Sequence, residues 1–132
     1  MNHKKQLMQI NKSDQFLQEI FSWMRLIDFY KQEISYLKTR LSEVVDQNIN
    51  NDLLPSAEYF QNLFILKDEF NASISSEIKN QELQLHEIIK NNTEAGESFL
   101  KKQEKLRNEI ENFEKKFSTS KKEFNKFLFS IV

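Results

Sequence analysis

The chain has 132 residues, a net charge of −1, one glycine, one proline and no cysteine. That length suits one domain with a real core. The charge balance supplies no overall field toward nucleic acid or anionic lipid, and the absence of cysteine excludes a disulfide framework and thiolate chemistry.

Two chain breakers, Pro55 and Gly96, cannot punctuate a fold of short strands and turns. Abundant Glu, Lys, Gln, Leu and Ile point instead to long helices. Residues 1–12 are polar apart from Leu7, Met8 and Ile10, and are expected as an N-terminal arm or an extra helical turn. They hold no apolar run long enough for a signal-peptide core. No stretch approaches the ~20 apolar residues of a membrane span, so the cytoplasm is the expected location.

The first helix is expected over about 13–46, with Ser13 or Asp14 as its N-cap. Ile20, Ile27, Ile34 and Leu41 fall at one heptad position, and Phe16, Trp23, Tyr30, Leu37 and Val44 at the other. No charge interrupts either series. Leu17, Met24 and Val45 flank this seam and widen the apolar face of an amphipathic helix. The run 47–52 is rich in Asn and Asp, which tolerate turn conformations, so the helix can end there without glycine. Leu53 and Leu54 are expected to fold back as a small apolar plug.

Pro55 suits the first turn of a second helix, expected over 55–90, where its missing N–H costs nothing. The apolar positions there are Phe60, Leu63, Phe64, Phe70, Ile74, Ile78, Leu85 and Ile88, with a gap at Lys67. Small residues cluster mid-helix: Ala72, Ser73, Ser75 and Ser76. Asn91, Asn92 and Thr93 form the second connector, with Thr93 as the expected N-cap of a third helix over 94–130. Phe99, Leu106, Phe113 and Phe127 share one position of that helix, with Ser120 in the series. Gln103, Ile110, Phe117, Phe124 and Ile131 share the other. The hydroxyl run Ser118-Thr119-Ser120 competes for the backbone and is the place where a break is expected.

Three helices of similar length joined by short connectors give an all-α, up-down-up antiparallel three-helix bundle with coiled-coil-like packing, a single domain over 13–132. Residues 46–92 carry eight acidic and three basic side chains, whereas both flanking segments carry a basic excess. This supports packing the middle helix against its neighbours. Folding at the connectors places Tyr30 near Phe70 and Phe113, and Trp23 near Ser75, Ile78 and Leu106. Trp23 is expected to fit against the small residues of the second helix.

The chain holds little that suggests chemistry. One glycine cannot build a phosphate-cradling loop, and no nucleophile has a histidine at a suggestive spacing. The histidines are His3, in the expected arm, and His86, beside Glu82 and Glu87. A Glu-x-x-His pair of the di-iron kind is absent, because Leu83 stands three residues before His86. A metal-binding bundle would have to draw on Glu33, Glu58, Glu69, Glu82 and His86. Glu33, Arg40 and Glu43 on the first helix and Glu58, Gln61 and Asn62 on the second meet at the connector end in antiparallel pairing. They read as a polar cluster, with surface ion pairs as the simpler account. The stretch from Lys115 to Val132 interleaves Lys121, Lys122 and Lys126 with Phe124, Phe127, Leu128, Phe129 and Ile131. It either completes the bundle or docks on an anionic membrane or into a partner. The unbroken heptad favours the core, leaving Phe129 and Val132 off the seam.

The run from Trp23 to Ile34, with Arg40-Leu41-Ser42-Glu43-Val44 and Tyr59-Phe60-Gln61-Asn62, resembles a group of small, uncharacterised bacterial helical-bundle proteins. The similarity covers residues 16–70 and implies a helical bundle. Members of that group carry further histidines near the Trp and in later helices. This chain has Phe21 and Ser22 before Trp23, and only His86 later.

The sequence thus reads as a non-enzymatic bundle, without cofactor or metal, acting as a protein-interaction or structural module. Leu26, Phe29, Tyr36, Leu66 and Phe129 lie off the seams and are expected to line an apolar patch for a protein partner or a homodimer. Single-stranded nucleic acid is not an expected partner, since its basic and aromatic sites are normally grooves on a sheet.

Overall fold

A computed structural model describes residues 2–48 and 51–131, with side chains described over 12–48 and 52–131. The side chains of His3, Leu7, Met8 and Ile10, and residue Val132, lie outside the described residues. Helix α1 spans Asn2–Gln47, a 3-10 turn spans Asn51–Leu53, α2 spans Leu54–Lys90 and α3 spans Glu97–Ile131. Among the described residues there is no strand.

The helix boundaries follow local chemistry. The backbone of 2–12 continues α1 as helix, so Ser13 and Asp14 sit inside it and not at its cap. At the other end, Asn48 donates its Nδ2 to the Val44 carbonyl at 2.7 Å and its backbone N–H to Val45 at 3.3 Å. These bonds satisfy carbonyls that the last turn leaves open. Leu53 is half-buried and Leu54 exposed, so the expected plug is only partly formed. Pro55 occupies the first turn of α2.

The second connector is a Schellman motif. Asn92 adopts the left-handed conformation at φ 53°. Thr93 N–H bonds the Ile88 carbonyl, and Asn92 N–H bonds that of Ile89. Asn substitutes for glycine here because its short polar side chain lowers the cost of positive φ. Thr93 therefore closes α2, its hydroxyl also directed at Ile88, and it does not open α3. Gly96 takes that role, with its carbonyl accepting the Leu100 N–H at 3.1 Å. Helix α3 is unbroken at Ser118–Ser120, because Thr119 directs its hydroxyl back to the Lys115 carbonyl within the helix.

The three helices run up, down and up. Helix α1 packs with α2, and α2 with α3. Every heptad residue of α1 from Ile20 to Val44 is buried, and Phe16 is half-buried. Helix α3 buries Phe99, Gln103, Leu106, Ile110, Phe113, Phe117, Ser120 and Phe124. Tyr30 meets Phe113 edge-on at 5.1 Å and Phe117 at 4.9 Å, while Phe70 stacks on Phe113 at 5.0 Å. Phe124 packs between Phe60 and Phe64, each at 5.2 Å. The α1 and α2 backbones approach each other more closely than those of α2 and α3.

Trp23 is buried with Ile78 and Leu106, as expected, but not against the small residues of α2. It shares a core cluster with Ile20, Ile27, Ile74, Ile78 and Leu106. Ala72, Ser73, Ser75 and Ser76 are all exposed. They lie off the α2 seam, and the branched side chains of Ile74 and Ile78 occupy the interior at that level.

Candidate functional site

The seam of α2 contains more polar residues than its apolar pattern indicates. Continuing the spacing of Ala57, Phe60, Phe64, Ile74, Ile78 and Leu85 strictly through polar positions places Lys67, Asn71 and Gln81 on the seam. Asn71 and Gln81 are buried there. A search restricted to apolar side chains passes over them.

Gln81 begins a network across all three helices. Its Nε2 donates to the Phe99 carbonyl at 3.2 Å and to Gln103 Oε1 at 3.1 Å. Gln103 Nε2 donates to Glu19 Oε1 at 2.9 Å. Arg107 grips the same carboxylate with Nε at 2.6 Å and Nη2 at 2.8 Å. Burial alone raises the Glu19 carboxyl, but the bonds from Arg107 and Gln103 outweigh it and hold the group below the usual carboxylate range. The bidentate pairing is directional, and it fixes the level of α3 against α1.

Lys67 is a second polar seam residue. Its ammonium lies 5.4 Å from the centre of the Phe113 ring. Burial, then the neighbouring charge of Lys116, lowers its pKa. A lysine at this level is held by its stem and by ring contact, with its charged form penalised.

The flanks sort by partner. On α1, Glu19 and Glu33 face α3, where they pair with Arg107 and Lys121, the latter at 2.6 Å. The opposite flank of α1 faces α2, where Lys38 pairs with Asp68. Glu77 of α2 pairs with Lys102 of α3 at 2.5 Å. Each interface thus carries its own charge complement.

This sorting separates the expected polar cluster. Glu33 turns to Lys121, and Arg40 pairs with Glu43 along its own helix at 3.4 Å. Glu58, Gln61 and Asn62 are exposed on α2 and bond none of the α1 members. The reason is geometric: Glu33 and Arg40 lie on the α1 flank that faces α3, not α2. The acidic residues named for a metal site are dispersed as well. Among the described residues no three of His, Asp and Glu come together where an ion would sit.

Of the five residues expected to line an apolar patch, four are exposed: Phe29 at 53%, Tyr36 at 62%, Leu66 at 61% and Phe129 at 83%. Leu26 is half-buried and packs against both core clusters, because its flank is the one α3 covers. Phe29 and Tyr36 lie two helical turns apart on one outer face of α1. Leu66 is on α2 and Phe129 near the end of α3, so the four do not make one surface. The C-terminal stretch belongs to the bundle: Phe117 and Phe124 are core, and Phe127 and Leu128 pack against it. Phe129 alone points outward on the same helix face as Lys115 and Lys122. No helix among the described residues is long and apolar enough to cross a membrane.

A groove also runs between α1 and α2 on the side away from α3. Its lining includes Met24, Ser35, Asn71, Ala72 and Ser75, with Arg25, Lys31 and Lys79 at the rim. Met24, a residue that widens the apolar face in the sequence, is 41% exposed there. The chain matches no protein-family model, no curated protein and no solved structure.

Proposed function

We propose that this protein is a non-enzymatic helical bundle that works in the cytoplasm as a protein-interaction or structural module. The observation that carries this reading is the pair Phe29 and Tyr36, each more than half exposed on a common outer face of α1. Large aromatic side chains anchor protein interfaces, since they bury much area at low entropic cost. The helix that bears them is buried along its seam from Ile20 to Val44, so a partner meets a preorganised surface. The partner is a protein, either a second copy or another chain.

Light scattering on untagged protein across a concentration series tests the self-association arm. The expected result is a dimer whose mass falls to the monomer in Phe29→Ser/Tyr36→Ser. For a hetero-partner, a photo-crosslinking residue at position 29 is expected to trap a defined protein in the native cell. A monomer at every concentration, with no crosslink from positions 29, 36, 66 or 129, would sink the proposal.

A further inference from the structure

We propose that the groove between α1 and α2 docks one amphipathic helix of another protein, with acidic flanks set against Arg25, Lys31 and Lys79. The inference rests on the interaction-module reading but concerns a different face from Phe29 and Tyr36.

Position and shape come first. The groove lies opposite α3, where a fourth helix would sit in a four-helix bundle. Its α1 wall runs from Met24 to Lys38, about 20 Å at 1.5 Å per residue, or roughly four helical turns. Ser35, Ala72 and Ser75 have small side chains, which allow another backbone to approach closely. Met24 and Ile27 add apolar and adaptable contact.

Charge then selects the occupant. The lining holds Arg25, Lys31, Lys38 and Lys79 against Asp28 and Asp68. Lys38 and Asp68 pair with each other. None of Arg25, Lys31 and Lys79 forms an ion pair among the described residues, so three cations face one remaining carboxylate, Asp28. A second copy docked groove to groove would bring the same cationic rim to the interface, and like charges would oppose. An acidic helix complements it.

The floor includes one buried polar side chain, Asn71. Asn71 is 4% exposed and donates Nδ2 to the Ile27 carbonyl at 3.0 Å. Its Oδ1 is buried without a hydrogen-bond partner. Native proteins leave few such atoms, because each costs the desolvation of the group.

The test selects from a phage-displayed library of helix-biased 16-residue peptides, with apolar seam positions fixed and flanks randomised, using the full chain as bait. Enriched peptides are expected to carry net acidic flanks. Their synthetic forms should lose at least tenfold in affinity for Arg25→Glu/Lys31→Glu/Lys79→Glu, a variant whose folding is checked by its circular-dichroism melt. Amide shifts on binding should map to Met24, Ser35, Ala72 and Ser75. Should the triple variant fail to fold, Lys31→Gln/Lys79→Gln is read the same way, with a smaller loss. Neutral or basic winners, equal binding to the charge variants, or no winners would overturn the proposal. So would vesicles containing phosphatidylserine that bind through the same cations while peptides do not. Winners that map to Phe29 and Tyr36 would overturn the groove assignment and leave the interaction-module reading standing.

Discussion

Gln81 and Gln103, each 1% exposed, share a hydrogen bond of 3.1 Å in the seam between α2 and α3, toward the end where the two helices are connected. Gln103 passes the connection to Glu19 of α1. Such a layer aligns only when all three helices stand at the right height. An apolar layer tolerates slippage, whereas a buried amide displaced from its partner loses its bond outright. Removing both amides is therefore expected to cost less than the two single removals added together. Gln81→Leu leaves Gln103 Oε1 without that donor and should cost about 1–3 kcal/mol in urea denaturation. Gln81→Leu/Gln103→Leu should lie closer to the parent than the sum of the single losses. Simple additivity would reject the coupling.

Acid should weaken the bundle through Glu19. Its carboxyl is held below its ordinary value of 4.5, with burial opposed and outweighed by the bonds from Arg107 and Gln103. A depressed carboxyl stabilises the fold above the unfolded-state value, and that contribution is lost as pH falls through the folded-state value. At pH 7, Glu19→Gln should cost about 1–2 kcal/mol, with the partial exposure of both partners keeping the figure modest. The gap between parent and variant should narrow below pH 4.5. A gap that stays constant from neutral pH to about pH 2 would show that Glu19 contributes no proton-linked stability.

Lys67 should act in the opposite sense. Its pKa is lowered by burial and then by Lys116, so the folded state binds the proton less readily than the unfolded one. The fold is handicapped while Lys67 is charged, and the handicap is relieved as pH rises from the folded-state value toward the unfolded one, 10.5. Lys67→Leu places an apolar side chain on a seam position and should stabilise by about 1 kcal/mol at neutral pH. That gain should shrink in alkali. A loss of stability instead would mean that the contact with Phe113 outweighs desolvation.

The connector before α3 offers two opposed substitutions. Gly96 caps α3, and a Cβ added there meets nothing within 4 Å. Gly96→Asp supplies a capping oxygen and restricts the unfolded chain, for an expected gain of about 0.5–1 kcal/mol in a thermal melt. Asn92→Val puts a β-branched residue at positive φ and should cost about 1–2 kcal/mol. Equal melting temperatures for the two variants would show that neither end is conformationally set.

The core itself is open to a direct check. Trp23 is buried among Ile20, Ile27, Ile74, Ile78 and Leu106. Trp23→Ala should cost about 3–5 kcal/mol, since the rigid helices cannot close over the void. A melt matching the parent would reject this packing.

The heptad of α1 and that of α3 were legible from spacing alone. A 3.5-residue repeat of apolar side chains admits one buried face, and Gln103 and Ser120 fell within a series already established by their neighbours. Connectors rich in Asn were legible too, because the tolerance of Asn for positive φ is a property of the residue. Asn71 and Gln81 were not, since a polar side chain announces burial only once a partner stands opposite it. Tertiary packing decided which flank of each helix meets which neighbour. Glu33 is the clearest instance: spacing places it beside the seam, but only the side on which α3 docks sends it to Lys121 and away from Glu58. The groove over Asn71 arises for the same reason. A helix sequence states which face seeks cover, whereas the placement of the third helix decides which adjoining flank is left uncovered.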